Sequence, residues 1–275
     1  MAVDEAGPDS NPIKIREVWA NNLKSEFDLI STVIDQYPFV SMDTEFPGVI
    51  YTHSPQERAQ ASTADKYTLL KRNVDALNII QLGITLSDSA GNLPHLGSGD
   101  HRYIWQFNFS DFDVARDKHA SNSIKLLRQH GINFEMNRVL GIDSVKFAEL
   151  MMSSGLVCSD SVSWVTFQGA YDFGYLVKIL KRLPLPGGLN DFLELLRVFF
   201  GNTCYDVKYL TEFCGHYGGL NRVAEQLHLN RVVGKSHQAG SDSLLTWHIF
   251  HKIRDNSFFK GELEKYAGVL YGYKV

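Results

Sequence analysis

Cysteine is scarce in this 275-residue chain: only Cys158, Cys204 and Cys214 occur, none of them in a Cys-x-x-Cys pair. An odd count leaves one thiol over in any disulfide scheme, which argues against a disulfide framework and suits a reducing compartment with free thiols. Long hydrophobic runs are missing too. No stretch approaches the roughly 18 apolar residues of a membrane span, and Met1-Ala-Val-Asp-Glu-Ala-Gly-Pro8 lacks the basic and apolar regions of a signal peptide. The expectation is an intracellular protein with no membrane association. Basic charge is not in excess: 27 Lys and Arg stand against 31 Asp and Glu, a net charge of −4. Bulk charge therefore does not announce a nucleic-acid binder. It leaves room for an acidic nuclease, whose site carboxylates add to that charge until divalent cations reverse it locally. A phosphate-binding loop is absent as well, because the first glycine required by Gly234-Lys-Ser would fall on Leu229 and no strand precedes it.

What is present is a chain with 44% hydrophobic residues, long enough to bury about three quarters of its unfolded surface in one large body. Residues 1–12 are small, polar and proline-containing and read as a disordered tail, leaving a single domain over 13–275. Apolar residues at Ile15, Val18, Trp19, Leu23, Phe27, Ile30 and Ile34 follow a helical period. A strand is expected at Phe39 to Phe46, then a polar loop from Pro47-Gly48 through Lys71. Strands follow at Ala76 to Leu86 and Arg102 to Phe109, joined to the first by hairpin-like turns. Beyond Ser110 the pattern alternates: helices near 122–130, 145–153, 170–182, 190–200, 221–229 and 240–253, with short strands at 162–167 and 203–208. Strands first and alternating units afterwards imply an α/β fold, a mixed β-sheet flanked by α-helices.

Within Phe39-Val-Ser-Met-Asp-Thr-Glu-Phe46, Asp43 and Glu45 are two apart, so on a strand they project from one face. Two carboxylates that close on a half-buried face call for a divalent cation with oxygen ligands. The same spacing recurs at Glu26/Asp28, Asp111/Asp113 and Glu262/Glu264. The first lies in a helical pattern where such residues diverge, the second reads as an acidic first turn of a helix, and the third as a solvated segment. A solvated edge strand is the structural alternative for Asp43/Glu45. Two metals need further acids, and Asp172 shares a helical row with Tyr175, Leu176 and Ile179, as Asp242 does with Leu245, Ile249 and Ile253. An acid in a first helical turn is also explained by the helix dipole. Asp160 and Asp191 read as turn and cap residues. Asp206 stays open, with hydrogen bonding to Lys208 or backbone amides as its structural reading. His237, five residues before Asp242, could accept a proton from an attacking water, a role worth about 10²- to 10⁴-fold in rate. His248 and His251 read as packing or solvated residues.

The order Asp-x-Glu, Asp172, His-x-x-x-x-Asp242 resembles the DEDD exonucleases of the histidine subclass. Ser41-Met-Asp-Thr-Glu-Phe-Pro-Gly48, Arg72-Asn-Val-Asp75, Asn78-Ile-Ile-Gln-Leu-Gly83, Ile104-Trp-Gln-Phe-Asn-Phe109, Tyr171-Asp-Phe-Gly-Tyr-Leu176, Tyr205-Asp-Val-Lys-Tyr209 and His237-Gln-Ala-Gly-Ser-Asp-Ser-Leu-Leu-Thr246 resemble the Caf/Pop-type deadenylases, the nuclease subunit of the CCR-NOT complex. These motifs run through nearly the whole chain. The resemblance implies an RNase H-like fold and a 3′-to-5′ exoribonuclease that shortens poly(A) tails by two-metal hydrolysis and releases 5′-AMP. It implies Asp43, Glu45, Asp172 and Asp242 as ligands of two divalent ions, Mg²⁺ or Mn²⁺ with Zn²⁺ as an alternative, and His237 as general base. It further implies poly(A) RNA, a CCR-NOT scaffold subunit and a second deadenylase as partners, and a cytoplasmic and nuclear location. Gln168-Gly-Ala before Tyr171 and the loops near 52–66 and 91–102 are individual to this chain. The acids themselves do not explain a preference for RNA, which needs groups sensing the 2′-hydroxyl and aromatics that stack bases; Phe46 is a candidate. A scaffold subunit with a little-used nuclease site, and an exonuclease acting on DNA or short oligonucleotides, are the alternatives.

Overall fold

In the computed structural model, which describes residues 12–97, 100–255 and 258–273, the chain enters the fold as a strand rather than a helix. β1 (Ile13–Val18) precedes α1 (Leu23–Val33), so the expected helix from Ile15 is corrected at its first turn. The Ile15/Val18 spacing fits a helix, but Ile13-Lys-Ile15 also alternates, and pairing with a neighbouring strand decides in favour of the latter. The expected disordered tail lies, up to residue 11, outside the described residues. β2 (Phe39–Glu45) carries the acidic pair. The region expected as a polar loop instead forms α2 (Pro55–Gln60) and α3 (Thr63–Ala76). Both start at capping boxes, Ser54 with Glu57 and Ser62 with Asp65, each satisfying orphan amides of the first turn.

β3 (Gln81–Ser87) and β4 (Arg102–Asn108) follow, the former beginning five residues later than the sequence suggests. Then come α4 (Ser121–Gln129), α5 (Phe134–Leu140), α6 (Ser144–Met152), β5 (Ser163–Thr166), α7 (Ala170–Lys181) and α8 (Leu189–Phe200). The strand expected at 203–208 is shorter, β6 (Cys204–Asp206), and turns directly into α9 (Val207–Phe213). α10 (Leu220–Gln226) and α11 (Ala239–Arg254) close the main body. Asp111 and Asp113 do not open a helix; the Asp111 carboxylate instead accepts from the backbone N–H and the hydroxyl of Ser144 at the start of α6.

The sheet is mixed, with strand order β1-β4-β3-β2-β5-β6. β3 is antiparallel to both its neighbours and the other pairs are parallel, so β3 alone runs against the rest. Both faces are covered. One core gathers Phe27, Val40, Met42, Trp105, Phe107, Trp164, Phe173 and Leu176, and the other gathers Ile104, Val165, Leu210, Leu244, Trp247 and Phe250 around α11. A buried charge ties the first strand to its helix. Arg16 donates twice to Glu26, at 2.6 and 2.8 Å, and the Trp105 indole N–H donates to the same carboxylate at 3.1 Å. Glu26 is thus a partnered core acid rather than a solvated one.

α11 lies unusually close to the sheet because its first turns are small and polar. A Cβ built on Gly83 would meet the Ala239 carbonyl oxygen at 1.9 Å. Ser243 Oγ is 2.9 Å from Thr85 Oγ1, the Ser41 hydroxyl donates to the Ser243 carbonyl at 2.9 Å, and Gly240 N–H donates to Gln106 Oε1 at 3.0 Å. Gly83 pairs with Asp43 across the β2–β3 ladder, so the close approach sits level with the acidic pair. Gly83→Ala is expected to cost about 1–3 kcal/mol by overpacking, read as a lower urea midpoint. An unchanged midpoint would show that α11 is free to shift.

Candidate metal centre

Alternation along β2 sends Val40 and Met42 into one core and Ser41 toward α11 on the other face. Asp43 and Glu45 share the Ser41 side, and Asp242, in the first turn of α11, meets them there. Thr44 points the opposite way, toward α7. Its hydroxyl and its backbone N–H both donate to Asp172 Oδ1, at 2.6 and 2.8 Å. Asp172 therefore reaches the strand end from the other side of the sheet, held against the peptide between the two β2 acids. Glu45, Asp172 and Asp242 are 8%, 7% and 6% exposed, too deep for water to neutralise their charge.

His237 precedes α11 in the left-handed region, with φ 59°, a conformation that costs a non-glycine residue about 1 kcal/mol or more. Its backbone N–H donates to Asp242 Oδ2 at 2.8 Å. One ligand atom from each of Glu45, His237 and Asp242 lies within 4.8 Å of the others. The His237 ring meets His130 edge-on, with centroids 4.8 Å apart. All five side chains singled out in the sequence, Asp43, Glu45, Asp172, His237 and Asp242, thus converge at one end of the sheet.

Charge is badly unbalanced there. Burial, followed by the charges of Asp242, Asp172 and Glu45, pushes the Asp43 carboxyl well above its usual range, and burial with Asp242 and Asp172 does the same to Glu45. Asp172 is pushed up to about 7 by burial, against the opposing pull of the two Thr44 hydrogen bonds. Burial raises Asp242 as well, opposed by Arg231. His237 is lowered, chiefly by burial and further by His130 and Arg231, against the pull of Asp242, so the imidazole is neutral at neutral pH. Four oxygen-donor acids that cannot all ionise unaided, beside one neutral imidazole, suit hard divalent cations.

Two contributors escaped sequence reading. Thr44 lies between the acids but gives no periodic signal of its own. Arg231 sits in an irregular loop, yet its guanidinium donates to Asp242 Oδ1 at 2.5 Å, to Ser241 Oγ at 2.6 Å and to Asn221 Oδ1 at 2.8 Å. Asp206, left open above, is explained by its partners. It accepts from the backbone N–H groups of Gln168, Gly169, Lys208 and Tyr271 at 2.8–3.1 Å and ties down the turn that starts α7.

A family model described as CAF1 family ribonuclease matches residues 18–149. The Arabidopsis thaliana protein named Probable CCR4-associated factor 1 homolog 7 is 52% identical over 264 residues, 96% of this chain and 94% of the relative. Poly(A) ribonuclease pop2 of Schizosaccharomyces pombe is 41% identical over 274 residues, 99% of this chain and 78% of the relative. A solved S. pombe Pop2p structure, described as its Mg²⁺- and Mn²⁺-bound form, aligns with a TM-score of 0.85 and 41% identity over 94% of this chain and 99% of that one. A structure of the yeast NOT1 MIF4G domain co-crystallised with CAF1 aligns at 0.78 and 36% identity, over 96% and 99%. Escherichia coli exonuclease I aligns at 0.52 with 13% identity, over 81% of this chain and 42% of that one, a likeness of RNase H-like fold alone.

A pH dependence follows from the direction of the Asp172 shift. Its folded-state value lies above the unfolded value near about 4, so the folded form binds the extra proton and stability falls as pH rises between about 4 and about 7. In chelator, the wild type is expected to lose melting temperature relative to Asp172→Asn as pH rises through that window. Parallel curves would remove Asp172 from the charge imbalance.

Proposed function

The chain belongs to the CAF1 family of ribonucleases, and from that membership we propose a 3′-to-5′ exoribonuclease that shortens poly(A) tails and releases 5′-AMP in messenger-RNA turnover. The observation that carries this reading is the convergence of four desolvated carboxylates and a neutral imidazole at the strand end, beside the Arg231 guanidinium.

In this reading Asp43, Glu45, Asp172 and Asp242 hold two divalent ions, Mg²⁺ or Mn²⁺, in keeping with the ions named for the S. pombe relative. When bound, such a pair supplies Lewis-acid activation of water and stabilises charge on the departing oxygen. The chain's own residues do the rest. Thr44 fixes Asp172, and the His237 N–H with the Arg231 guanidinium fixes both oxygens of Asp242. His237, kept neutral by burial, takes the proton of the attacking water at its ring nitrogen. The water oxygen joins the phosphorus as the bond to the 3′ oxygen breaks, and that oxygen takes up a proton from solvent to become the new 3′-hydroxyl of the shortened chain.

The yeast CAF1 co-crystallised with a NOT1 MIF4G domain, and the CCR4-associated names of the relatives, support docking on a CCR4-NOT scaffold subunit. Action beside a second deadenylase, in cytoplasm and nucleus, completes the proposal.

End-labelled RNA with and without an oligo(A) tail, and matching DNA, incubated with Mg²⁺, Mn²⁺ or chelator, tests it. Metal-dependent loss of the tail one nucleotide at a time is expected, and equal degradation of the DNA would overturn the substrate assignment. Asp43→Asn is expected to abolish turnover while melting at the same or a higher temperature in chelator, because it relieves carboxylate repulsion. Mg²⁺ at about 100 times its Kd should raise the wild-type melting temperature by about 5–10 °C, and that of the variant much less. Equal shifts would place the metal elsewhere.

A further inference from the structure

The motif Arg72-Asn-Val-Asp75 is not used by the acid cluster, yet it touches the loop that leaves it. After Glu45 the chain runs through Phe46 to Tyr51, and the buried Asn73 pins that loop. Asn73 Oδ1 accepts from the N–H groups of Ile50 and Tyr51, both at 2.9 Å, and its amide donates to the carbonyls of Tyr51 and Leu69 at 2.9 Å. The Tyr171 ring stacks on Phe46, in the same loop, at 5.2 Å with 16° between planes. Tyr171 is the residue before Asp172. The loop and the acid site thus share one support.

A second segment closes on the same loop. Gly48 has φ +86°, and a Cβ there would fall 2.2 Å from Ser123 Oγ and 2.8 Å from the Ala120 side chain. With Ala120 N–H donating to the Pro47 carbonyl at 2.9 Å, this close packing brings residues 118–120 alongside. The result is a tyrosine between two cations. The Arg72 guanidinium lies 4.4 Å over the Tyr51 ring, and Lys118 Nζ is 3.5 Å from the Tyr51 hydroxyl. Both cations are exposed, and among the described residues neither forms an ion pair with a carboxylate. In a chain of net charge −4, two unneutralised cations levelled against an aromatic ring on the loop that follows the β2 acids are matched to a polyanion.

We propose that Tyr51, Arg72 and Lys118 form a subsite for single-stranded RNA. Arg72 and Lys118 take phosphates of the tail next to the scissile bond, and the Arg72–Tyr51 pair presents a flat surface to the sugar and base. This rests on the exoribonuclease reading above and names where its substrate lies. Lys208, another basic side chain near the strand ends, is already engaged. It donates to Gln168 Oε1 at 2.7 Å and lies 4.7 Å over Tyr271.

The test is binding of 5′-labelled oligo(A) by fluorescence anisotropy over a salt series, with Asp43→Asn as the common background to prevent cleavage. Adding Arg72→Gln and Lys118→Gln should weaken binding about tenfold and lower the slope of log K against log salt by about 1.4, two contacts at about 0.7 each. With Asp43 restored, the double variant should show a raised KM with a much smaller loss of kcat, and Arg72→Lys should recover most of the Arg72 effect. Its Mg²⁺-dependent rise in melting temperature should match that of the unsubstituted chain, which a merely unfolded loop or displaced acid would not allow. An unchanged salt slope and KM would overturn the subsite, as would the same losses appearing for Lys208→Gln instead. If the unsubstituted chain failed to cleave RNA, the exoribonuclease reading would fall, while the salt slope would still decide the subsite by itself.

Discussion

Four carboxylates share one desolvated corner of the fold with the Arg231 guanidinium, and the rest of the structure serves to hold that imbalance in place. Left in water, Asp43, Glu45, Asp172 and Asp242 would separate and hydrate. Here burial is the largest cause of every one of their shifts, and mutual repulsion adds to it for Asp43 and Glu45. Folding energy spent in the cores thus creates a demand for positive charge at one place. Arg231 answers only part of it, at Asp242, which leaves the centre selective for a small, highly charged counter-ion.

The scaffold achieves this by bringing acids from both faces of the sheet to one strand end. Alternation along β2 sends Asp43 and Glu45 toward α11 and Thr44 toward α7, so that each helix can deliver an acid from its first turn without competing for space. Both acids also sit at the positive end of a helix dipole, worth about 0.3–1 kcal/mol each. The glycine at position 83 lets α11 approach, and Asp206 fastens the turn from which α7 starts. Asp206 shows what separates a structural acid from a site acid. It is fully buried yet surrounded by four backbone amides, whereas Glu45 is surrounded chiefly by other carboxylates.

Much of the site was legible because its residues lie on regular elements. A spacing of two picked out Asp43 and Glu45, and spacings of three and four placed Asp172 and Asp242 on the apolar rows of their helices. The misreadings fall where local pattern is ambiguous or weak. In β1, Ile13-Lys-Ile15 alternates while Ile15 and Val18 keep a helical spacing, and only the partner β4 decides between them. α2 and α3 are largely polar, and their capping boxes at Ser54/Glu57 and Ser62/Asp65 were the overlooked signal.

The sequence by itself determined the acids, their faces and the resemblance that names their chemistry, because side-chain direction in a strand or helix is set by backbone geometry within a few residues. Only the tertiary structure decided that Thr44 holds Asp172, that Arg231 rather than another cation meets Asp242, and that Tyr51 stands between Arg72 and Lys118. Those pairings join residues from separate loops and helices. Their geometry depends on how whole elements pack against the sheet, which no local period records.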